Sequence, residues 1–327
     1  MAGFRLLSWN VQNLFAAGTP DGPPTPEAFD AKLASLAEVL DAQQPDVAAL
    51  QEVGPPEVLA ALQERLGHQL PHQELSTHPD GRGIRVAFLS RLPLQAPVQL
   101  HPFPVGLAPV QVGDPDDDPT TPLPTRADMA RGALQVTVTA DGHQLTIISA
   151  HLKSKLLTFP GGRFQPHDEG ERARFGAYAL YLRAAQAVTL RAHLDQILGG
   201  QGDTVGVLLA GDLNDGVDAA TTQLLHGPPG SELGTPGFDR PDRGDPQRMW
   251  NLALRIPAAR RFTRIFRGRG ELIDHIFASR FLVTKTTQVT TAMAAGRLRS
   301  ITEDPREEIG KPGSDHAAVV ASFELPS

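Results

Sequence analysis

In this chain, short apolar runs repeatedly end at a polar side chain. Runs of this kind at residues 4–9, 47–50, 145–150, 205–211 and 272–273 lead to Asn10, Glu52 (through Gln51), His151, Asp212 and Asp274. Their length and their content of Val, Ile and Leu are typical of buried strands. One further run, at residues 317–323, follows Asp315-His316 instead of preceding it. The pattern therefore predicts strands that carry polar residues at their ends.

Between these strands, apolar residues recur at helical spacing. Thr25-Pro26 predicts a helix start, because threonine caps a first turn and proline fits its first position; the spacing continues until Pro45. A shorter helix is expected within residues 58–66. The longest is expected to begin near Glu171 and to end at Gly199-Gly200. Strands interleaved with helices predict an α/β fold with mixed sheets.

Turn and loop signals separate these elements. The Asp141-Gly142 pair between two strand-like runs predicts a hairpin turn. Residues 101–128 are rich in proline and contain Asp116-Asp117-Asp118, which predicts a surface loop. Residues 156–170 and 227–247 are also expected to be loops. Because no strong change of composition divides the chain, residues 1–327 are expected to form a single domain.

Composition narrows the possible chemistry. The chain has no cysteine, which removes disulfides, thiolate metal sites and a cysteine nucleophile. A formal net charge of -7 argues against a basic surface over the whole chain but leaves room for a local basic groove. There is no signal-peptide pattern and no apolar stretch long enough for a bilayer, so we expect a cytoplasmic protein without a membrane partner. Secretion after removal of a leader is the alternative, and no obligate protein partner is predicted.

Taken singly, each polar residue at a strand end has an ordinary structural explanation. Asp212, for example, could form an Asx-turn. The combination favours a functional site, because α/β folds collect catalytic groups at strand ends. Carboxylate and amide oxygens suit Mg²⁺, Mn²⁺ or Ca²⁺ better than zinc, and nearby histidines can transfer protons and contact phosphate. The set indicates metal-assisted attack of water on a phosphodiester.

Six segments that contain these residues resemble, in order, the motifs of the endonuclease/exonuclease/phosphatase superfamily. The segments are Ser8-Trp9-Asn10-Val11-Gln12-Asn13-Leu14-Phe15, Leu50-Gln51-Glu52, Ser149-Ala150-His151-Leu152-Lys153-Ser154, Ala210-Gly211-Asp212-Leu213-Asn214, Ile273-Asp274-His275-Ile276 and Gly313-Ser314-Asp315-His316. The wording is closest to bacterial nucleases of the deoxyribonuclease I-like branch. The resemblance implies a four-layer α/β/β/α sandwich, with two mixed β-sheets packed face to face and helices outside.

The resemblance also implies roles for the residues at the centre of the site. Glu52 is the expected main metal ligand, and Asn10 and Asp315 complete the metal region. The expected metal is Mg²⁺, with Mn²⁺ or Ca²⁺ as alternatives. The resemblance leaves open whether one or two ions act.

Four further residues are expected to act on the phosphate. Asp212 and Asn214 resemble the pair that orients the attacking water and the scissile phosphate. His316 resembles the histidine beside the phosphate, and Asp274 resembles the carboxylate that fixes its ring. Either Asp212 or His316 could accept the proton of the water.

His151 resembles a second histidine that serves the leaving group in deoxyribonuclease I. The strand that should supply its orienting carboxylate carries Arg85 instead, so phosphate binding is the role expected for His151. Arg131 and Lys153 are expected to contact substrate phosphate. For Arg131, an ordinary arginine at a strand start is the alternative.

A basic segment before Asp274 favours nucleic acid as the substrate. It contains Arg260, Arg261, Arg264, Arg267 and Arg269. Alternation along a strand would place several of them on one face near the site as a phosphate-binding track, with Arg264 and Arg267 as the expected substrate contacts. The prediction is a nuclease acting on DNA or RNA. The alternatives are hydrolysis of lipid, inositol or small phosphate esters at the same site, or a non-catalytic binding module.

Overall fold

The computed structural model describes residues 3–115, 120–294, 297–302 and 304–326, and Asp116-Asp117-Asp118 lies outside them. The strands are β1 (Gly3–Leu14), β2 (Val47–Val53), β3 (His72–Leu75), β4 (Arg85–Ser90), β5 (Gln95–Pro102), β6 (Val110–Gln111), β7 (Thr125–Arg126), β8 (Asp128–Ala140), β9 (His143–His151), β10 (Gly206–Asp212), β11 (Trp250–Asn251), β12 (Arg264–Phe266), β13 (Arg269–Glu271), β14 (Asp274–Ala278), β15 (Thr286–Ala292), β16 (Ser300–Ile301) and β17 (Ala318–Glu324). The α-helices are α1 (Pro26–Gln43), α2 (Pro56–Arg65), α3 (Glu169–Leu198), α4 (Ala220–Gln223), α5 (Pro236–Asp239) and α6 (Arg280–Val283).

Two six-stranded sheets form the centre of the molecule. The first has the order β15-β17-β1-β2-β4-β3, and the second has the order β11-β14-β10-β9-β8-β5. Each contains one parallel pair among antiparallel neighbours, β1 with β2 in the first and β9 with β10 in the second. The expectation of mixed sheets is confirmed.

Alternation along the strands separates the layers of the core. Leu6 of β1 and Leu208 of β10 belong to a buried cluster between the two sheets. The next residue along each strand faces outward, because successive side chains of a strand point to opposite faces. Leu7 therefore packs in the cluster shared with α1 and α2, and Leu209 packs in the cluster shared with α3. This is the predicted α/β/β/α sandwich.

The local signals for the helices and the hairpin are also confirmed. The Thr25 side chain accepts a hydrogen bond from the backbone of Ala28 at the start of α1. α3 begins two residues before the expected position, because Asp168 caps its first turn, and it ends at Gly199, whose φ of +51° is left-handed. The Asp141-Gly142 pair has positive φ at both residues and joins β8 to β9.

Four sequence expectations need correction. The run 272–273 is not a strand; β14 begins at Asp274, because Asp274 pairs with Asp212 in an antiparallel register. The region 101–128 is not one loop, since it contains the paired strands β6 and β7. The region 156–170 includes a short 3₁₀-helix (Pro160–Gly162), and 227–247 includes α5 and a second such turn (Asp245–Gln247).

The prediction that the basic segment forms one strand with arginines along one face is wrong. The chain makes a 3₁₀ turn at Ala258–Arg260 and then a tight hairpin of β12 and β13. Arg267 and Gly268 have positive φ at the hairpin tip, which reverses the chain and ends the alternation after three residues. The hairpin pairs with β16 to form a small three-stranded sheet.

One edge of the sandwich collects the polar strand ends. The carboxyl ends of β1, β2, β9 and β10 lie there, together with the amino ends of the antiparallel strands β14 and β17. Within the ranges described above, none of the helices combines the length and the hydropathy needed to cross a bilayer.

Candidate active site

Irregular backbone displays the side chains at this edge. In β2, Gln51 and Val53 pair with successive residues of β4 and leave Glu52 as the extra residue of a bulge. Glu52 has a φ of +61°, and Asn214, after β10, has a φ of +54°. A side chain in the left-handed region costs about 1–3 kcal/mol and persists only where its surroundings hold it. Two predicted site residues therefore occupy strained positions.

Asn10 links the two sheets across the site. Its amide nitrogen donates to Glu52 Oε1 and to Asp212 Oδ2, both at 3.0 Å. Its amide oxygen accepts from the backbone of Gln12 at 2.9 Å, which fixes the orientation of the amide. Glu52 Oε2 accepts from the backbone of Asn13 at 2.8 Å. Asn10 thus brings two carboxylates together by donating to both.

Asp212, His316 and Asp274 form a buried row. His316 Nδ1 lies 2.8 Å from Asp274 Oδ2, and His316 Nε2 lies 4.0 Å from Asp212 Oδ2. Asp212 Oδ1 accepts from the backbone of Asn214 at 2.8 Å, which is an Asx-turn. Asp212 therefore forms this turn and also belongs to the site. The Asn214 amide donates to the carbonyl of Leu152 at 3.1 Å. The predicted partnership of His316 with Asp274 is present.

Burial and mutual charge shift the titration of this row. Burial raises the pKa of Asp212 to about 7, and the charge of Asp274 adds to this, while His316 opposes it. Burial lowers the pKa of His316, but the carboxylates of Asp274, Asp315 and Asp212 outweigh it and raise that pKa to about 10. Near neutral pH the His316 ring is therefore cationic.

His151 reaches the same carboxylates from β9. Its Nε2 lies 3.5 Å from Asp212 Oδ2 and 3.9 Å from Glu52 Oε1. Its Nδ1 is buried without a hydrogen-bond partner, consistent with the missing orienting carboxylate, and Arg85 instead donates to the carbonyls of Gly54 and Gly83. Burial, with positive charge from Arg131 and His316, holds the pKa of His151 well below its usual range, so the ring is neutral.

β1 and α1 hold the segment that carries Asp315 and His316. Trp9 Nε1 donates to the carbonyl of His316 at 2.8 Å, and Ser314 Oγ donates to the carbonyl of Asn10 at 2.6 Å. The buried Lys32 ammonium donates to the carbonyl of Gly313 at 2.7 Å. The Asp315 backbone donates to Gln12 at 3.1 Å.

The donor set fits a hard divalent cation. Burial raises the pKa of Asp315; the positive charge of His316 opposes this shift, and the nearby charge of Glu52 adds to it. Asp274 Oδ1 is buried without a partner. Ligand atoms of Asp212, Asp274 and His316 also lie within 4.8 Å of one another. Carboxylate oxygens dominate the set, which is the preference of Mg²⁺, Mn²⁺ and Ca²⁺.

Several of the side chains predicted to contact phosphate already form hydrogen bonds or ion pairs within the protein. Arg131 donates to Asp80 through Nε and Nη2, at 3.2 and 2.8 Å, while its Nη1 is buried without a partner. The Lys153 ammonium donates to carbonyls of its own loop, and burial followed by the charge of Arg131 lowers its pKa to about 8. Arg264 is paired with Glu271 at 2.6 Å. The exposed guanidinium of Arg267 lies over Phe266, at 5.9 Å from the ring centroid.

Sequence reasoning missed a second polar layer behind the site. Arg183, buried on α3, donates to Asp215 Oδ2 at 3.1 Å and to the carbonyl of Lys153 at 3.0 Å. Asp215 follows Asn214, and its carbonyl contacts the His275 ring at 2.8 Å. We call Arg183, Asp215 and His275 the rear network. It ties together the segments after β9 and β10 and the start of β14.

A second contact from α3 supports the same loop. Gln186 accepts from the backbone of Lys153 at 2.7 Å and donates to the carbonyl of Met129 at 2.6 Å. Arg183 and Gln186 are three residues apart and are both buried on a helix whose other buried positions are mostly apolar. Polar residues at core positions of a predicted helix were the available signal.

Comparisons with known proteins identify the family and the fold of the chain. The sequence model described as Endonuclease/Exonuclease/phosphatase family matches residues 7–316. No curated protein matches the sequence. Truncated TDP2 from Caenorhabditis elegans is 14% identical over 99% of this chain and 98% of its own, with a TM-score of 0.55. The human Nocturnin catalytic domain with bound sulfate is 17% identical (99% and 95%, TM-score 0.54), and a Bacteroides thetaiotaomicron mannosyl-6-phosphatase is 14% identical (98% and 100%, TM-score 0.56).

Proposed function

Because this chain belongs to the endonuclease/exonuclease/phosphatase family, we propose that this phosphoric ester hydrolase is a divalent-metal-dependent nuclease. The observation that carries the proposal is the buried row of Asp212, His316 and Asp274, facing the Asn10–Glu52 pair across two sheets. It combines a carboxylate-held imidazolium with clustered oxygen ligands, which are the groups needed to direct water at a phosphodiester.

Glu52 and Asp315 are the proposed metal ligands. Asn10 orients the Glu52 carboxylate for metal binding by donating a hydrogen bond to it. A bound Mg²⁺, Mn²⁺ or Ca²⁺ would stabilise negative charge on the phosphoryl oxygens. The residues around it divide the remaining work. Asp212 is the proposed acceptor of the water's proton, and Asn214 keeps the Asp212 carboxylate oriented through its backbone N–H.

His316 and His151 have different proposed roles. His316 is flanked by carboxylates, so its ring is cationic and suited to contact a phosphoryl oxygen. His151 is neutral and has no orienting carboxylate, so it is proposed to donate a hydrogen bond to the phosphate rather than to supply positive charge.

Nucleic acid is the proposed substrate because basic residues border the site on two sides. Arg131 and Lys153 lie near His151, and the backbone of Arg264 bridges to His316. Arg267 lies at the hairpin tip beyond Arg264. Contacts of this kind follow a polymer of phosphates and predict salt-dependent binding.

Chelation and two substitutions test the catalytic proposal. Exhaustive chelation should abolish hydrolysis of DNA, and Mg²⁺ or Mn²⁺ should restore it. Asp212→Asn and His316→Ala should each lower turnover by orders of magnitude while circular dichroism stays unchanged, because the losses fall in the transition state. Asp30→Asn changes an exposed aspartate paired with Arg65 and is the matched control. Wild-type rates in both site variants, or after chelation, would contradict the proposal.

A substrate panel tests the choice of nucleic acid. It contains single-stranded DNA, RNA, a chromogenic phosphate bis-ester, an inositol polyphosphate and mannose 6-phosphate. One fold relative is named a mannosyl-6-phosphatase, so a phosphomonoester is the second candidate. A kcat/KM highest for DNA or RNA supports the nuclease. A kcat/KM highest for a monoester would replace it with a phosphatase that uses the same site.

A further inference from the structure

A cavity of about 390 Å³ lies outside the site, beside the β12–β13 hairpin. Phe262, Ile265, Met293 and Leu298 give it apolar walls, and Arg260 and Arg297 add two guanidinium groups. We propose that this cavity, here called the arginine pocket, binds a nucleotide. In the polymer it would hold a nucleotide that flanks the scissile phosphate, and this part rests on the proposed nuclease function.

The composition of the arginine pocket matches the two halves of a nucleotide. An apolar wall that includes an aromatic ring can pack against a base, and guanidinium groups bind phosphate oxygens in a bidentate manner. The volume falls in the range of small-molecule sites, which is roughly 300–1,000 Å³. Both parts of the pocket are needed to define the ligand. The apolar wall alone would not favour an anion, and the guanidinium groups alone would not favour a base.

The two arginines of the pocket are available for an anion. Arg261 and Arg264 of the same segment are engaged, the first with the carbonyls of Leu254 and Ile256 and the second with Glu271. Among the residues with described positions, no carboxylate forms an ion pair with Arg260 or Arg297. Glu271 therefore neutralises Arg264, whereas Arg260 of the basic segment and Arg297, before β16, keep their charge at the pocket.

The arginine pocket is connected to the active site through Thr263, the residue after Phe262. Phe262 precedes Thr263, whose hydroxyl accepts from the Asp274 backbone at 3.3 Å and whose carbonyl accepts from Ala317, next to His316, at 2.7 Å. Residues 262 to 264 span at most about 7 Å of extended chain. Ile265 faces the pocket while Arg264 faces the opposite side of β12. A flexible single strand passing this hairpin can reach both the site and the pocket.

Two measurements test the proposal and separate the polymer from a free nucleotide. The first is the KM for cleavage of a labelled single-stranded DNA 12-mer, and the second is the Kd of thymidine 5′-monophosphate in chelator. Arg297→Glu should raise the 12-mer KM about tenfold and lower by about one the slope of log affinity against log salt concentration. Its kcat for the small chromogenic bis-ester should stay unchanged, because that ester is too short to reach the pocket. Arg260→Glu should weaken the binding of thymidine 5′-monophosphate more than Arg297→Glu does.

Arg243→Glu is the charge-matched control. Its loop bonds to Gly202, before the start of β10, while the site lies at the far end of that strand. If Arg297→Glu raises the KM for the 12-mer but leaves the Kd of the free nucleotide unchanged, the pocket binds the polymer only. If it raises both quantities, the pocket binds the polymer and the free nucleotide. If Arg297→Glu changes neither quantity more than Arg243→Glu does, the pocket proposal is overturned. If the wild type binds the 12-mer but does not cleave it, the nuclease proposal fails while the pocket is still tested by binding.

Discussion

Replacing Arg183 by methionine is expected to damage catalysis from behind the site. Arg183 touches none of the proposed catalytic residues; it holds Asp215 and the carbonyl of Lys153 from α3. Methionine fills a similar volume but removes both contacts. The loops after β9 and β10 then lose one of the contacts that join them, and His151 and Asn214 are attached to those loops.

The contacts of Arg183 allow the expected losses of stability and of kcat to be estimated. Removing one partner of a buried ion pair costs about 3–5 kcal/mol. Asp215 keeps Lys155 at 2.9 Å and Thr221 at 2.6 Å, so we expect the lower end, about 3 kcal/mol in the free energy of unfolding. Displacing reacting groups by about 1 Å lowers the rate by up to 10²-fold, so kcat should fall by roughly ten- to a hundredfold with little change in KM.

Urea unfolding and steady-state kinetics on the chromogenic bis-ester measure the two effects. Arg172→Met, on the same helix, removes an exposed pair with Glu169 and should change stability by less than about 0.5 kcal/mol. Arg183→Lys keeps the charge but cannot make both contacts, so its kcat should lie between those of the methionine variant and the wild type. The reasoning is refuted if Arg183→Met, assayed where it is fully folded, keeps kcat within twofold of the wild type.

Three further outcomes are expected. Partial burial of His226, with a neighbouring histidine, lowers its pKa to about 4 from 6.5, so its neutral form stabilises the fold fully above pH 6.5 and this stabilisation is lost as pH falls to 4. His226→Leu should remove about 3 kcal/mol of that acid destabilisation in urea titrations at the two pH values. Trp9→Phe should lose about 1 kcal/mol and lower kcat, since the indole no longer holds the His316 carbonyl, as paired unfolding and kinetic assays would reveal. Arg131→Met, which leaves the half-buried Asp80 without its guanidinium partner, should destabilise more than Arg131→Met combined with Asp80→Leu, in a thermal-melt comparison.

The residues alone could predict an α/β fold with mixed sheets because the signals for strands and helices are local and repeated, whereas the four-layer sandwich was implied only by the resemblance to the family. Alternation at Leu6-Leu7 and Leu208-Leu209 places one residue in each of two cores, and a one-residue slip would exchange the two faces of the strand between those cores. The threonine cap of α1 is equally local. Asp274 was assigned to the wrong end of a strand because the two apolar residues before it gave no indication of strand direction. That direction is set by its pairing with Asp212, far away in the sequence.

The parts of the site that escaped prediction depend on long-range contacts. The spacing of arginines could not show that Arg264 is paired with Glu271 or that Arg260 faces a cavity, because the hairpin between β12 and β13 reverses the chain. The rear network is similar, since Arg183 and Asp215 are 32 residues apart and meet only in the folded chain. Residue types indicated the chemistry, while the folded chain determined which charges remain available.

Backbone strain at Glu52 was also invisible in the sequence, and it gives a prediction of its own. Both Glu52→Ala and Glu52→Gly delete the carboxylate and its two hydrogen bonds, so the difference between them reports the left-handed φ of +61°. A side chain in that region costs roughly 1–2 kcal/mol, and glycine loses roughly 0.5–1 kcal/mol of that advantage through its freer unfolded chain. Glu52→Gly should therefore be more stable than Glu52→Ala by roughly 0.5–1 kcal/mol, while both lose activity.

A neighbouring position in the same strand gives the opposite expectation and serves as the control. Ala49 is buried and paired regularly with Phe88, so Ala49→Gly should lower the free energy of unfolding by roughly 1 kcal/mol. The sign at Glu52 is thus reversed relative to the sign at Ala49, which a general effect of glycine in β2 could not produce. Urea unfolding of the three variants measures both differences. If glycine is the less stable choice at both positions, the bulge relaxes when the carboxylate is removed, and Glu52 is not held in a strained backbone for the sake of the site.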